Sequence, residues 1–208
     1  MYKRFSRLLP SLLLVTTIVS LLSGCATVDQ KIMLSYATVD RSFGRQSGEI
    51  SVSRVDPKNL AKNSKGEWIV GSINNANGVH RADILTDRSI GEWITDALLL
   101  ELKHAGYTVS YTPTLPAAAA RGVLISDINA SLNINKEAVT DRTKNELKFN
   151  VDIFLNGAKA KTFSVASRDS KTLPLSASRE DLDKIMLQSL QDAMLQIIPE
   201  ITELKTQK

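Results

Sequence analysis

The sequence contains one cysteine, Cys25, among 208 residues. A single thiol cannot form an intramolecular disulfide, and it cannot supply the set of cysteine ligands that holds a structural zinc ion. The chain must therefore be stabilised by packing, and 43% of its residues are hydrophobic. The 184 residues from the cysteine onward are enough for one domain of ordinary size.

The cysteine closes an N-terminal segment that has the parts of a secretion signal. A basic head contains Lys3, Arg4 and Arg7, and an uncharged, mostly apolar stretch covers residues 12–22. As a helix this stretch is about 16 Å long, roughly half of the ~30 Å hydrocarbon core of a bilayer, so it is too short to span a membrane. Residues 1–24 are therefore predicted to be a cleaved signal peptide.

The sequence Leu22-Ser23-Gly24-Cys25 resembles the lipobox of bacterial lipoproteins. In that family the cysteine thiol receives a diacylglycerol, a dedicated peptidase cuts before the cysteine, and the new amino terminus is acylated. The resemblance implies cleavage between Gly24 and Cys25, lipidation of Cys25, and a lipidated tether over residues 25–30. Two or three acyl chains make detachment negligible, because each buried CH₂ contributes about 0.8 kcal/mol. The alternative is an ordinary secreted protein with one free cysteine.

The residue after the cysteine, Ala26, bears on the choice of membrane. In Gram-negative lipoproteins an aspartate at this position usually retains the protein in the inner membrane. The resemblance therefore implies an anchor in the outer membrane with the domain on its periplasmic face, and the inner membrane is the less favoured alternative.

The charge of the mature chain argues against nucleic acid as a partner. Removal of residues 1–24 takes away three basic and no acidic residues, so the formal net charge falls from +4 to +1. The remaining basic residues are not clustered as nucleic-acid binding requires.

Two amphipathic helices are predicted within residues 31–208, which we expect to form a single domain. Ser89 and Glu92 have the spacing of a capping box, and Gly106 marks the end of that helix. Its apolar stripe consists of Ile90, Trp93, Ile94, Ala97, Leu98, Leu102 and Ala105. Ser178 can cap a second helix, which is expected to end or kink at Pro199. The second stripe consists of Leu182, Ile185, Met186, Ser189, Leu190, Ala193, Met194 and Ile197.

Alternation of apolar and polar residues predicts the strands. They cover residues 31–37, 49–55, 67–73, 107–111, 123–134, 147–155 and 159–167. A phase change at Ser126-Asp127 predicts a β-bulge, and Asn156-Gly157 predicts a two-residue hairpin turn. Together these elements predict an α+β fold, a two-layer sandwich in which two amphipathic helices cover one face of a mostly antiparallel sheet.

A row of amide and hydroxyl side chains is expected on the sheet face away from the core. Its members are Asn129, Ser131, Asn133 and Asn135 on one strand and Lys148, Asn150 and Asp152 on the next. Such a row could bind a glycan or a partner strand, and it is also typical of a solvated sheet face. Phe154 is the one aromatic residue among these positions, whereas sugar sites usually present several.

The sequence offers no pattern that indicates catalysis or metal binding. His80 is expected in a loop, and His104 lies at a helix end, where a cation suits the helix dipole. Asp83 and Asp87 are expected to flank the start of the same helix. No Gly-x-Ser-x-Gly elbow, phosphate-binding loop, His-Glu-x-x-His or calcium-loop pattern occurs. We therefore expect no catalytic residue, no metal and no cofactor.

Two sequence runs in the middle of the chain carry a resemblance to a known family. They are Gly91-Glu92-Trp93-Ile94-Thr95-Asp96-Ala97-Leu98 and Glu101-Leu102-Lys103-His104-Ala105-Gly106-Tyr107. With the lipobox and the closing amphipathic helix, they resemble the YajG-type envelope lipoproteins, most specifically over residues 84–111. More distantly the chain is similar to auxiliary lipoproteins of ABC transport systems and to the secretion lipoprotein CsgG. The resemblance implies a fold and a location, and it brings no defined activity.

Three functions remain open from the sequence. The leading hypothesis is a non-enzymatic envelope lipoprotein, held in the membrane by its acylated cysteine, that serves as an accessory or scaffold subunit and binds another envelope protein. The alternative is a module that binds a small ligand or a glycan, for which a concave, aromatic-lined pocket would be the discriminating feature. A periplasmic enzyme is the least favoured, because it requires a cleft with titratable groups of shifted pKa. The oligomeric state is not predicted.

Overall fold

The structure, a computed structural model, describes residues 28–41, 43, 46–56, 61–174 and 177–203. The predicted signal peptide, with its cleavage and lipidation residues Gly24 and Cys25, lies outside these residues. The strands are β1 (Gln30–Ile32), β2 (Glu49–Arg54), β3 (Trp68–Asn74), β4 (His80–Thr86), β5 (Thr108–Tyr111), β6 (Arg121–Lys136), β7 (Thr140–Leu155) and β8 (Ala158–Pro174). The helices are α1 (Ile90–His104) and α2 (Arg179–Glu203).

The eight strands form one curled, mixed sheet, so the α+β class is confirmed. The predicted antiparallel two-layer sandwich is wrong in its detail. Of the seven strand pairings in the described residues, four are parallel, namely β1–β4, β2–β5, β2–β6 and β3–β6. The antiparallel pairings join β3 to β4, β6 to β7 and β7 to β8. Hairpin signals reveal only pairings between strands adjacent in sequence, which is why the parallel pairings were not predicted.

Strand β6 is central to the sheet because it is long enough to pair with two different strands along one edge. Its first half pairs with β2, its second half pairs with β3, and β7 follows it along the other edge. The predicted bulge is confirmed: the β6–β7 register shifts between Ser126 and Asn129, and Asp127 has a φ of 51°. The bulge bends the paired strands and supports the curl of the sheet.

The two helices bury their predicted stripes against the sheet. Every residue of both stripes is buried, and α1 contacts β2, β5 and β6 whereas α2 contacts β1, β7 and β8. The capping box of α1 is present, with Ser89 Oγ accepting from the backbone N–H of Glu92. Ser178 Oγ likewise accepts from the backbone N–H of Asp181 at the start of α2. Pro199 does not end α2, which continues to Glu203.

One strand, β4, was not predicted from the sequence. His80, expected in a loop, is the first residue of this strand, and Asp83 lies within it rather than at the start of α1. The burial of β4 changes from exposed residues at its start to continuous burial at its end. This pattern lacks the regular alternation that identifies a half-buried strand.

Candidate functional site

The segment of residues 29–39, here called the N-terminal segment, is bound to the domain at several points. Asp29 Oδ1 accepts a hydrogen bond from the backbone N–H of Asp83 in β4 at 2.9 Å. The backbone N–H of Met33 donates to Asp183 Oδ1 in α2 at 2.8 Å. Three residues of β1 lie between these two contacts, so the segment is fixed from its beginning.

Both helices hold the remainder of the N-terminal segment. The indole Nε1–H of Trp93 in α1 donates to the carbonyl oxygen of Ser35 at 2.8 Å. The side-chain amide of Gln191 in α2 donates to the carbonyl oxygen of Ala37 at 2.9 Å. The buried Trp93 therefore contributes both apolar area and a directed hydrogen bond.

The carboxyl group of Glu101 is the centre of these contacts and is fully buried on α1. Its Oε1 accepts from the hydroxyl of Tyr36 at 2.5 Å and from the backbone N–H of Val39 at 2.8 Å. Within the described residues its Oε2 has no hydrogen-bond partner, and His104 Nδ1 lies 3.8 Å away. Burial, together with the hydrogen bond and the charge of Glu101, raises the pKa of Tyr36 far above its ordinary value. The hydroxyl is therefore held in its protonated, donating form.

The polar sheet face predicted from the sequence exists and is linked by side-chain hydrogen bonds. Ser72 Oγ donates to Asn133 Oδ1 at 3.0 Å, and the amide of Asn74 donates to Asn135 Oδ1 at 3.3 Å, across the parallel β3–β6 pair. Farther along the same face, the amide of Asn150 donates to Asp127 Oδ2 at 2.7 Å. These side chains satisfy one another, which is typical of a solvated sheet face.

Asp152, a member of the predicted polar row, is mostly buried and paired. Burial acts to raise its pKa, but the Lys159 ammonium at 2.7 Å and the Thr162 hydroxyl at 2.5 Å outweigh it and lower the pKa below the ordinary value. The carboxylate is thus a structural link between β7 and β8.

An apolar cavity of about 360 Å³ lies at one end of this face, beneath the chain that joins β5 to β6. Its lining includes residues 113–117 from that connection, Gly122 and Leu124 from β6, and Phe154 from β7. Gly122 has no side chain where Leu115 approaches, and a Cβ there would lie 3.2 Å from Leu115 Cδ1. The absent side chain gives the connection room to cross the sheet.

The β7–β8 turn also borders the cavity, through Gly157. Asn156 and Gly157 both have positive φ, of 50° and 78°, as the predicted hairpin turn requires. A Cβ on Gly157 would lie 2.2 Å from the carbonyl oxygen of Ala117, so glycine is required for contact with the connection as well as for the turn. Among the described residues that line the cavity, Phe154 is the only aromatic one. The described lining is thus concave and apolar, and it does not present several aromatic rings.

The histidines lie apart from this cavity. His80 Nε2 is 2.8 Å from Asp83 Oδ1 on the exposed start of β4, and His104 is the last residue of α1. Across the part of the chain that the structure describes, no three His, Cys, Asp or Glu side chains are grouped as metal ligands. No helix among the described residues is both long enough and apolar enough to cross a bilayer.

Comparisons with known proteins yield structural similarity without sequence similarity. No family model matches the sequence, and no curated protein matches it. A Xanthomonas campestris protein of the DUF330 family is similar over 83% of this chain and 92% of its own, with 7% identity and a TM-score of 0.48.

Two further solved structures are similar at a lower TM-score. A minor lipoprotein from Acinetobacter baumannii covers 74% of this chain and 90% of its own, with 12% identity and a TM-score of 0.43. A Helicobacter pylori protein described as a putative neuraminyllactose-binding hemagglutinin homologue covers 82% of this chain and 94% of its own. Its identity is 11% and its TM-score is 0.43. Because these TM-scores are below 0.5, the matches do not assign a fold family or a function to this chain.

Proposed function

We propose that this chain is a lipid-anchored lipoprotein of the bacterial envelope, on the periplasmic face of the outer membrane. We propose further that it acts without enzymatic activity, as an accessory or scaffold subunit that binds another envelope protein. The observation that supports this function is the immobilised N-terminal segment, which begins four residues after the lipobox-like cysteine.

The distance between anchor and domain follows from this observation. Asp29 follows Cys25 by four positions, and this stretch spans at most about 14 Å. Since Asp29 is bound to β4, the acylated cysteine would hold the domain close to its own leaflet. A short tether to a fixed segment suits a subunit that meets a partner at the membrane, and it limits the reach of an enzyme or a binder of diffusing ligands.

The strand β8 offers a surface for such a partner. Within the described residues it pairs along its length with β7 and with no other strand, so its outer edge presents unpaired backbone groups. An extended segment of a partner protein can add to such an edge through main-chain hydrogen bonds. Lys159, Lys161 and Arg168 along β8 would oppose indiscriminate edge pairing.

The apolar cavity favours a second candidate function, the binding of a small ligand. Its volume of about 360 Å³ lies within the range of small-molecule sites, and Arg54 contributes a charged group to the lining. Arg54 is already paired, since its Nε donates to Asp56 Oδ1 at 2.5 Å. The group that would orient a polar ligand is thus partly occupied, and we place this function second.

The anchor is tested directly by replacing Cys25. Cys25→Ser is expected to leave an uncleaved precursor without lipid, because the hydroxyl does not replace the thiol in acyl transfer. Mass spectrometry of the amino terminus measures both events, and Ser23→Ala, which keeps a small residue before Gly24, serves as the matched control. An unmodified Cys25 in the wild-type protein, or cleavage at another position, would overturn the lipoprotein proposal.

A further inference from the structure

Two hairpin turns lie side by side at one end of the sheet. The β3–β4 turn covers residues 75–79 and the β6–β7 turn covers residues 137–139, and we call these two turns the hairpin tips. Asn74 pairs with Asn135 in the parallel β3–β6 ladder immediately before both turns. Since the two neighbouring strands run in the same direction, their tips project from the same end of the sheet.

Each hairpin tip carries an exposed valine. Val79 is 53% exposed and Val139 is 79% exposed, and Ala76 and Ala138 beside them are exposed as well. Val28, the first described residue of the chain, is 77% exposed. A single surface valine is ordinary, but β-branched apolar residues at the tips of two adjacent turns are not needed for the turns themselves.

The predicted anchor lies within reach of the hairpin tips. In the β1–β4 ladder Gln30 pairs with Ile84, and Asp29 is hydrogen-bonded to Asp83. Four residues lead back along β4 from Asp83 to Val79, and four residues also lead back from Asp29 to Cys25. Each of these stretches spans at most about 14 Å. The opposite end of the sheet is beyond that reach, because β6 and β7 are each 16 residues long, roughly 50 Å.

We propose that the hairpin tips rest on the lipid surface of the leaflet that holds the acyl chains of Cys25, with Val79 and Val139 inserted at the headgroup boundary. This inference rests on the proposed lipidation. Arg81 and Lys136 are exposed and lie two and three residues along the chain from Val79 and Val139, and long basic side chains near apolar ones are typical of protein segments at a membrane interface. The anchor and the tips would then fix the orientation of the domain on the membrane.

The expected strength of the lipid contact follows from the transfer of the Val79 and Val139 side chains from water into the membrane. A valine that passes fully from water into an apolar environment shifts the contact equilibrium by about tenfold or more. The double substitution Val79→Asp and Val139→Asp removes this contribution and adds two charges. It is expected to reduce the lipid-contacting population by at least about tenfold. Both positions are exposed, so the fold is expected to be retained.

The experiment uses the full-length lipidated protein in vesicles of phosphatidylethanolamine and phosphatidylglycerol. Because the one native thiol is predicted to be acylated, Ala138→Cys provides a single site for an environment-sensitive fluorophore, and Leu100→Cys on α1 provides a matched exposed site away from the tips. Spin-labelled lipids in the vesicles are expected to quench the label at residue 138 and to leave the label at residue 100 unquenched. The tip substitutions should abolish the quenching at 138, whereas Leu100→Asp should not.

The outcomes distinguish a failure of the lipid contact at the hairpin tips from a failure of the proposed lipid anchor at Cys25. An acylated Cys25, found by mass spectrometry of the same preparation, with equal quenching at residues 138 and 100 overturns the lipid contact and leaves the anchor standing. A chain without acylation overturns both. A label at residue 138 that is protected in cells and unquenched in vesicles means that a protein covers the tips, which also overturns the lipid contact.

Discussion

At the scale of single residues, the buried carboxyl group of Glu101 holds the N-terminal segment against α1 by accepting two hydrogen bonds from it. It lies within the apolar stripe of α1, three residues after Leu98 and one before Leu102, and its burial was not predicted. An acidic residue inside an otherwise apolar stripe was the available signal. The signal could not reveal the partners, because Tyr36 and Val39 are about 60 positions away in the sequence.

Tyr36→Phe tests the Glu101 contact and its dependence on pH. Loss of the hydroxyl leaves Oε1 with the Val39 N–H alone, so the free energy of unfolding of residues 26–208 should fall by about 1–2 kcal/mol at pH 8. The pKa of Tyr36 is raised in the folded state. Its stabilising contribution is therefore complete below the unfolded-state pKa of about 10 and declines as the pH rises above it. The difference between wild type and variant should accordingly narrow at pH 11.

Chemical denaturation at the two pH values measures this difference. Tyr111→Phe is the matched control, because Tyr111 is 44% exposed and lies on the short strand β5. A Tyr36→Phe variant as stable as the wild type at pH 8, or a difference that widens at pH 11, would contradict the assigned role of Glu101.

At the scale of elements, local sequence signals predicted local structure well. The capping box at Ser89, the bulge at Asp127 and the turn at Asn156 depend on residues within a few positions of one another, and all three are present. The parallel pairings of β1, β2 and β3 depend on contacts between distant segments, for which the chain carries no adjacent turn. Hydrophobic periodicity thus identified the buried faces and the described strands other than β4, and it did not determine strand order.

The candidate site was likewise predicted only where it depends on local sequence. The outward row of Asn129, Asn133 and Asn135 was predicted from alternation, and its side chains do face away from the core. The cavity beneath residues 113–117 was not predicted. It forms where a connection without regular periodicity crosses strands that lie far away in sequence.

Helix α1 gives a test of the packing at this scale. Trp93 and Leu98 are almost fully buried, so Trp93→Ala should lower the free energy of unfolding by about 3–5 kcal/mol and Leu98→Ala by about 2–5 kcal/mol. Leu100→Ala on the same helix is the control, because Leu100 is 44% exposed and should cost less than about 1 kcal/mol. Denaturant titration of residues 26–208 measures all three. Losses below about 1 kcal/mol for both buried positions would contradict the packing of α1.

At the scale of the whole molecule, the N-terminal segment is joined directly to the sheet and to the helices. The segment contacts β4 through Asp29 and α2 through Met33, so the sheet and a helix both hold its first residues in place. Asp29 is hydrogen-bonded directly to β4 and is followed at once by β1. The position of the domain relative to the membrane is consequently part of the proposed function.

Lengthening the tether distinguishes the scaffold function from ligand binding and from enzymatic activity. Insertion of about 20 flexible Gly/Ser residues after Ala26 should impair a scaffold subunit, because the effective concentration at a membrane-proximal partner falls as a tether grows beyond its required span. A binder of diffusing ligands or an enzyme should be almost unaffected, since neither needs a fixed distance from the leaflet.

The measurement is complementation of the deletion phenotype at matched protein level. The control is an insertion of the same length in the exposed turn after Lys65, which leaves the anchor distance and the hairpin tips unchanged. Full complementation by the long-tether form, or by a secreted form without Cys25, would reject the scaffold proposal and favour ligand binding at the cavity beneath residues 113–117.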